Sequence, residues 1–390
     1  MQSTQANHSK IKRFEVFPDE KALQKFLEDG FSESLKQFIK LTIKSVVKSE
    51  MDEFRKGLED KPYFNGYYQR DMLSNYGKIS DIPIPRFRSS QEDMSLRSMN
   101  VFEQEQNKFM KLIEQMHLLG ISQRKIKKLV KNCFGFNIGT SKVSKIYTEL
   151  VASESAQINS KELSAEYEYI MLDGIWEKVK GYGWSNNKKV LLCALGIKAD
   201  ESREIIGFSL QPNEDAESWS ILLRELKDRG LNTKGVKLVI GDAGAGLKSA
   251  LDRYFPNTKF QSCIVHKMRN VMFKCSLKNR PQLILDLKVI FNSRSKQEAE
   301  DNAKAFAKKW YVSESKAVEA LRFNLEYCLT YFEYPQVDWH RIRTTNLLER
   351  EFREVRRRFR VNDNTFQSEE SAKKYAEGLF SYLNCNYPLN

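Results

Sequence analysis

Residues 169–179 read YIMLDGIWEKV, a run of β-branched, aromatic and other apolar side chains that is typical of a buried β-strand. Similar runs recur further along the chain, and we expect strands at 189–197, 204–210 and 236–240. An amphipathic helix at 216–227 separates the third strand from the fourth. Three strands, a helix and another strand predict a mixed α/β sheet.

Helical patterns dominate after this sheet. We expect a helix at 246–254, a short strand at 259–264 and then helices as far as Leu329, which together indicate a helical insertion. A late helix covers 346–358. The residues from Val361 onward are interpreted as a polar tail.

Before the sheet, apolar residues at helical spacing predict amphipathic helices in residues 1–60. Glycines, tyrosines and prolines punctuate residues 62–88, which fits a small basic β-hairpin or a loop equally well. These changes of pattern divide the chain into five regions, with boundaries at 1–100, 101–160, 161–275, 276–338 and 339–390.

The second region has the spacing of a helix-turn-helix, with a helix at 122–130, a glycine-containing connection at 133–139 and a helix at 141–150. A recognition helix places its base contacts near its N-terminus. The residues that we expect to contact DNA are Arg124, Lys127, Lys128, Ser141, Lys142 and Lys145. A plain helical hairpin with a solvated lysine face is equally compatible with this pattern.

The composition limits the class of protein. Lys and Arg number 64 against 51 Asp and Glu in 390 residues, and the net charge of +13 indicates a polyanionic partner. A hydrophobic content of 41% argues against global disorder. Apolar runs stay far below the roughly 18 residues of a membrane span, and the N-terminus does not read as a secretory signal, so we expect an intracellular protein. Six scattered cysteines without a CxxC pair indicate reduced thiols.

Three acidic residues occupy special places in these elements. Asp173 lies in the first strand, Asp242 directly follows the fourth, and Glu349 lies in the first turn of the late helix. Carboxylates gathered in one place repel one another unless cations lie among them, and Mg²⁺ prefers oxygen ligands. Two Mg²⁺ about 3.5 to 4 Å apart support in-line displacement at a phosphodiester. If folding unites the three acids, the sequence predicts such a site.

Each acid also has a purely structural interpretation. Asp173 precedes a glycine and could begin a turn, although apolar residues flank it and an ionised carboxylate there needs a partner. Asp242 precedes the small residues 243–246 and could be a helix N-cap. Glu349 lies three residues after Asn346, which is the spacing of a capping box. The residues alone leave these alternatives open.

The late helix has two distinct faces. Apolar residues at helical steps predict a packed face made of Leu348, Phe352, Val355 and Phe359. The adjacent stripe consists of Glu349, Arg353, Arg356 and Arg360. Such a stripe places a metal ligand beside groups suited to DNA phosphates, although an ordinary solvated face has the same pattern.

Two further motifs have the partial spacing of known ligand-binding sites. Gly241 and Gly246 have the spacing of a phosphate-binding loop, but Leu247 stands where the lysine is required, which argues against ATP or GTP hydrolysis. Cys263 and His266 have the spacing of half a zinc site without a second pair nearby, which argues against structural zinc. This segment follows a strand of the same sheet, so we expect it to act near the carboxylates.

The chain resembles the bacterial Mutator-like transposases, the group typified by insertion-sequence 256 elements, over most of its length. Four ordered motifs carry the resemblance: Leu172-Asp173-Gly174; Ile240-Gly241-Asp242-Ala243-Gly244 with the later Phe255-Pro256; Cys263-Ile264-Val265-His266 with Arg269-Asn270; and Arg343-Thr344-Thr345-Asn346-Leu347-Leu348-Glu349-Arg350 with Arg353-Glu354 and Arg356-Arg357-Arg358. Where that family usually has Asp-Gly at the second acid, this sequence has Asp-Ala-Gly.

The resemblance implies an RNase H-like catalytic domain in regions 161–275 and 339–390, interrupted by an all-helical insertion at 276–338 and preceded by a mainly helical DNA-binding half. By motif match the acidic triad falls on Asp173, Asp242 and Glu349. The triad would hold two Mg²⁺, for which Mn²⁺ can substitute. The residues expected to support it are Cys263, His266, Arg269 and Asn346.

The resemblance further implies a DNA transposase that binds terminal inverted repeats, cleaves DNA at the element ends and joins the freed 3′-OH to target DNA. The expected partners are terminal-repeat and target DNA and at least a second copy of the chain, in the bacterial cytoplasm at the nucleoid and without a membrane. Two alternatives are a domesticated DNA-binding regulator that does not cut and another RNase H-like nuclease, such as a junction resolvase.

Overall fold

A computed structural model describes residues 20–56, 64–87, 97–154, 158–163, 166–180, 186–242, 244–359, 365–366 and 368–386. The chain forms two compact units. The first unit comprises residues 1–114 and 123–143, and the second comprises residues 115–122 and 144–390.

The first unit begins with a long helix and a β-hairpin. Helix α1 (Glu20–Lys56) is interrupted at Gly30, and β1 (Phe64–Ser74) pairs antiparallel with β2 (Gly77–Phe87). The hairpin interpretation of this segment is therefore confirmed. Gly77 has a φ of +112°, and a Cβ there would lie 2.8 Å from the carbonyl oxygen of Phe134, so the turn requires glycine. The apolar core of the hairpin consists of Met72, Ile79, Ile82 and Ile84 with Phe102.

Helices occupy both positions predicted in the second region. After α2 (Arg97–Leu118), α3 covers Gln123–Phe134 and α4 covers Thr140–Glu154, so each is longer than the periodicity indicated. Ile126 and Val130 are buried on α3. The cationic and hydroxyl side chains singled out in the sequence, Arg124, Lys127, Lys128, Ser141, Lys142 and Lys145, are all exposed.

The second unit contains the predicted mixed sheet. Its strands are β3 (Tyr169–Lys180), β4 (Asn186–Ile197), β5 (Arg203–Gln211), β6 (Leu238–Gly241), β7 (Lys259–Ser262) and the two-residue β8 (Thr365–Phe366). The order is β5-β4-β3-β6-β7, and β8 pairs with the far end of β3. The pairs β3–β4 and β4–β5 are antiparallel, whereas β3–β6 and β6–β7 are parallel.

Helices cover both faces of this sheet because alternate residues of the central strand point to opposite sides. On one face Ile170 and Leu172 pack with α5 (Ala216–Asp228) and α6 (Ala245–Tyr254). On the other face the core includes residues of α7 (Ile264–Phe273), α8 (Arg280–Phe291), α9 (Lys296–Trp310), α10 (Ser315–Arg322), α11 (Leu325–Cys328), α12 (Trp339–Ile342), α13 (Asn346–Phe359) and α14 (Glu369–Asn386). Two 3₁₀ turns, Thr330–Glu333 and Gln336–Asp338, link α11 to α12.

The polar tail expected after Val361 is wrong, because residues 369–386 form helix α14. Its apolar positions, separated by the charged residues Lys373, Lys374 and Glu377, fall on one buried stripe made of Ala372, Tyr375, Ala376, Leu379, Phe380 and Leu383. The rings of Phe380 and Phe208 lie 5.3 Å apart. The Asn384 side chain also exchanges two hydrogen bonds of 2.9 Å with the Ile205 backbone on β5.

Among the helices within the described ranges, none combines the length and the apolar character needed to cross a lipid bilayer.

The packing of α14 on the sheet predicts a large loss of stability when its central aromatic ring is removed. Phe380 is fully buried, and we expect Phe380→Ala to lower the free energy of unfolding by about 3–5 kcal/mol, because the substitution leaves a cavity. Urea unfolding of the full chain measures the change. Lys373→Ala on the exposed side of α14 is the control and should stay within about 0.5 kcal/mol. Equal stability of the two variants would contradict this packing.

Candidate active site

Asp173 lies in the middle of β3 and is nearly buried, with 8% of its surface exposed. The strand continues through Asp173, which pairs in register with Cys193, so the interpretation of this residue as the start of a turn is wrong. Its Oδ1 atom accepts a 2.8 Å hydrogen bond from the Gly174 N–H. Burial raises the pKa of Asp173 to about 6, against the lowering effect of His266 and with further raising by the charges of Glu349 and Asp242.

Asp242 directly follows β6, the strand that runs parallel to β3 with Ile240 opposite Met171. It is exposed, and its negative charge contributes to the raised pKa of Asp173. Helix α6 begins only at Ala245 and has Gly244 as its N-cap, so the capping interpretation of Asp242 is wrong. The parallel arrangement of β3 and β6 carries the first two acids to the same region of the sheet.

Glu349 lies in the first turn of α13, and its carboxylate faces α7. Oε2 accepts a 3.4 Å hydrogen bond from Arg269, and Oε1 lies 3.4 Å from His266 Nε2. Asn346 is the first helical residue and its backbone N–H donates to Thr344 Oγ1, so the capping box with Asn346 as the N-cap is wrong. Glu349 is therefore held by cationic side chains of another element.

Cys263 and His266 lie where β7 passes into α7. The predicted strand end at Ile264 is wrong, because β7 stops at Ser262 and α7 begins at Ile264. Cys263 Sγ accepts hydrogen bonds from the Thr345 N–H and Oγ1–H at 3.4 and 3.3 Å. The neighbouring Cys263 thiol, followed by the charges of Asp173 and Asp242, raises the pKa of His266 to about 9, although burial opposes the change. Burial acts to raise the pKa of the Cys263 thiol, but His266 and Thr345 lower it below its ordinary value.

A fourth carboxylate, which the sequence analysis missed, joins these acids. Glu214 lies between β5 and α5, and the residue as a whole is exposed. Its carboxyl lies against Gly174, and partial desolvation there, together with the charges of Asp173 and Asp242, raises its pKa to about 7. We call Asp173, Asp242, Glu349 and Glu214 the acidic cluster. The signal in the sequence is the polar run Asn213-Glu214-Asp215, which follows the end of a strand that points the same way as β3.

The other predicted site residues divide into two groups. Cys263, His266 and Arg269 lie beside the acidic cluster. Asn346 is exposed and lines a cavity of about 520 Å³ together with Arg203, Arg341 and Arg350. No residue of the acidic cluster lines this cavity.

On α13, Arg353 is exposed and Arg356 is half-buried, whereas Arg360 lies outside the described residues. The apolar face predicted for this helix is confirmed at Leu348, Phe352 and Val355, which are fully buried.

The donor set of the acidic cluster fits a divalent cation. Glu349 Oε1 is buried and accepts no hydrogen bond among the described residues, and desolvation together with neighbouring carboxylates raises the pKa values of Asp173 and Glu214. Oxygen ligands of this kind suit Mg²⁺ or Mn²⁺. Cys263, His266 and Glu349 also present sulfur, nitrogen and oxygen atoms within 4.8 Å of one another. The hydrogen bonds to Cys263 Sγ occupy that sulfur, so the carboxylates are the better ligands.

Comparison with known proteins identifies a family whose members match most of the chain. The model of the family "Transposase, Mutator family" matches residues 10–388. The chain is 29% identical over 332 residues to the transposase for insertion sequence element ISRM5 of Rhizobium meliloti, with 84% of this chain and 82% of that protein covered. It is 31% identical over 300 residues to the transposase for insertion sequence element IS256 in transposon Tn4001 of Staphylococcus aureus, with 76% and 75% covered.

A third relative is the transposase for insertion sequence element IS6120 of Mycolicibacterium smegmatis, which is 32% identical over 250 residues. That alignment covers 63% of this chain and 75% of the relative. Because the family model spans nearly the whole chain, including all the residues of the acidic cluster, the chain belongs to the Mutator family of transposases.

Proposed function

We propose that the chain is a DNA transposase that binds terminal inverted repeats, cleaves DNA at the element ends by metal-dependent phosphodiester hydrolysis and joins the freed 3′-OH to target DNA. The observation that carries this proposal is the convergence of Asp173, Asp242 and Glu349 on one sheet, from three separate elements. The antiparallel β3–β4–β5 meander followed by parallel β6 and β7 supports an RNase H-like catalytic domain. The matching family and the named relatives support the transposase role.

Asp173, Asp242 and Glu349 would hold two Mg²⁺ ions, or Mn²⁺ in their place, since these residues offer oxygen ligands from three directions. When bound, such ions supply an activated attacking oxygen and stabilise the leaving oxygen of an in-line displacement. The retention of all three acids favours a cutting enzyme over a regulator that only binds DNA.

The remaining side chains of the site orient and balance these carboxylates. His266, with a pKa of about 9, is protonated at neutral pH and stays beside Glu349 Oε1. Arg269 contacts the other oxygen of the same carboxylate. These two cations fix the rotamer of Glu349 and offset part of the negative charge, while Thr345 holds Cys263 and thereby the start of α7.

Two surfaces are proposed to bind DNA. On α13, Arg353 and Arg356 follow Glu349 along one stripe and would contact phosphates close to the scissile bond. The exposed cations of α3 and the start of α4 are proposed to act as a helix-turn-helix that reads the terminal repeat. Since a transposition reaction brings two element ends together, we also propose at least a homodimer on paired ends.

Removing one charge from the acidic cluster should abolish cutting and preserve DNA binding. We expect Glu349→Gln and Asp173→Asn each to lower cleavage of a terminal-repeat duplex in Mg²⁺ by more than about 100-fold, the upper end of the effect for a residue that merely supports a metal ligand. Glu217→Gln, an exposed acid in the first turn of α5, is the control. Gel-shift titration in Ca²⁺ measures binding separately.

Wild-type cleavage by Glu349→Gln would overturn the assignment of the acidic triad. Cleavage by the wild-type protein without any joined product would favour a nuclease such as a junction resolvase. Metal-independent binding with no nicking would favour the regulator.

The arginine stripe of α13 makes a prediction about salt dependence. Arg353 is exposed and is proposed to neutralise one phosphate, so Arg353→Gln should weaken binding to all DNA sequences alike. The slope of log affinity against log salt concentration should fall by about 1. Fluorescence anisotropy with repeat and random duplexes measures both effects. A slope equal to that of the wild type would show that Arg353 does not contact a phosphate.

The two short helices of the first half should differ in what they contribute. We expect Ser141→Ala with Lys142→Ala, at the start of α4, to reduce the preference for terminal-repeat DNA over a scrambled duplex, because base contacts specify sequence. Lys127→Ala with Lys128→Ala on α3 should lower the affinity for both duplexes by the same factor. Competition titrations give the specificity ratio. An unchanged ratio in the α4 variant would contradict a recognition role.

A further inference from the structure

The loop before α5 ends in a helix cap. Asp215 is the N-cap of α5, and its side chain accepts a 2.9 Å hydrogen bond from the Ser218 N–H. This cap ties Asp215 to the helix and leaves Glu214 as the last residue before the cap, with its carboxylate free of any capping duty. Because Glu214 directly precedes the capping residue, the position of the α5 N-terminus determines where Glu214 lies.

Two glycines allow this loop to approach the elements that carry the first two acids. A Cβ placed on Gly174 would lie 3.5 Å from the carboxyl carbon of Glu214, and one on Gly246 would lie 2.8 Å from the backbone of Asp215 and Ala216. Gly174 directly follows Asp173, and Gly246 lies in the first turn of the helix after Asp242. The loop is thus held between the two segments that present these acids.

Glu214 and Asp173 lie against the same residue. The Gly174 N–H donates to Asp173 Oδ1 at 2.8 Å, while the Glu214 carboxyl lies over the Gly174 Cα. Both carboxyls therefore lie at Gly174, and the charge of Asp173 acts on Glu214, so a cation shared by the two would relieve their repulsion. The raised pKa of Glu214, caused by burial and then by Asp173 and Asp242, is the expected consequence of this placement.

We propose that Glu214 is a fourth carboxylate of the metal-binding site, which acts with Asp173 and Asp242 as a ligand of a divalent cation. This inference rests on the proposed metal-dependent function and extends it to a residue outside the acidic triad. The indole of Trp176 hydrogen-bonds Glu214, and because an indole N–H can only donate, that contact leaves further lone pairs of the carboxylate available.

Glu217 provides a matched comparison within the same turn. It lies three residues further along, in the first turn of α5, and is exposed, as Glu214 is. Both residues are glutamates near one helix start, so they share the effect of the helix dipole. They differ in their relation to the acidic cluster, because Asp173 and Asp242 act on Glu214. A role in metal binding predicts different behaviour of the two residues, whereas a general surface role predicts the same behaviour.

The experiment measures Mn²⁺ binding to the full chain, in the absence of DNA, by electron paramagnetic resonance of the free ion. We expect Glu214→Gln to weaken binding by about 10-fold or more, which is the scale of losing one contributor to a metal site. Glu217→Gln should bind as the wild type does. Asp173→Asn should lose more affinity than Glu214→Gln, because Asp173 lies at the centre of the acidic cluster.

A thermal measurement separates metal binding from a structural role. Glutamine keeps an acceptor for Trp176 and removes a like charge, so metal-free Glu214→Gln should unfold at the wild-type temperature or above it. The increase in unfolding temperature on adding Mn²⁺ should be smaller than in the wild type, because weaker binding stabilises the folded state less. Glu214→Ser, a second variant that removes the carboxyl entirely, should show the same reduced response.

Wild-type Mn²⁺ affinity in both Glu214 variants overturns the inference. If Asp173→Asn loses Mn²⁺ in that case, the proposed function stands and only the fourth ligand is wrong. If Asp173→Asn also binds Mn²⁺ normally, the metal site itself is misassigned and both proposals fail.

Discussion

Repulsion among carboxylates is the constraint on which the candidate site depends. Asp173 and Glu214 have raised pKa values because burial and neighbouring negative charge both oppose their ionisation. His266 and Arg269 offset part of that charge through Glu349. The fold places one acid inside a strand and the others at ends of elements, where a hydrated cation has access. The cationic side chains on α7 reduce this repulsion, and the proposed metal ions would reduce it further.

The order and direction of the strands place the acids next to one another. Because β3 and β6 are parallel neighbours, the acid within one strand and the acid after the other lie in the same region. Close backbone approach at Gly174 and Gly246 brings the start of α5 against both segments. A larger residue at either glycine would displace backbone or core atoms, so these two positions have a steric role that supports the electrostatic one.

The helical part of the second unit holds α7, the element that carries the cations. Lys267 is buried and its Nζ atom donates to the carbonyl oxygens of Ala320, at 3.3 Å, and Phe323 at the end of α10. The buried Gln261 side chain of β7 donates to the Cys328 carbonyl at 3.0 Å and accepts from the Tyr331 N–H at 2.8 Å. The helices that follow α7 therefore hold the element that carries His266 and Arg269 in place, through buried and hydrogen-bonded polar groups.

Local patterns in the sequence determined most of the elements, because side-chain periodicity reports which face of a helix or strand is apolar. They also located the three acids within or next to those elements. The same patterns misjudged α14, whose stripe from Ala372 to Leu383 is recognised as core only once it packs on β5. They could not reveal Glu214, nor show that Glu349 is held by His266 rather than acting as a helix cap. Tertiary structure decided these points, because Coulomb interactions and packing depend on distance through space and not on separation along the chain.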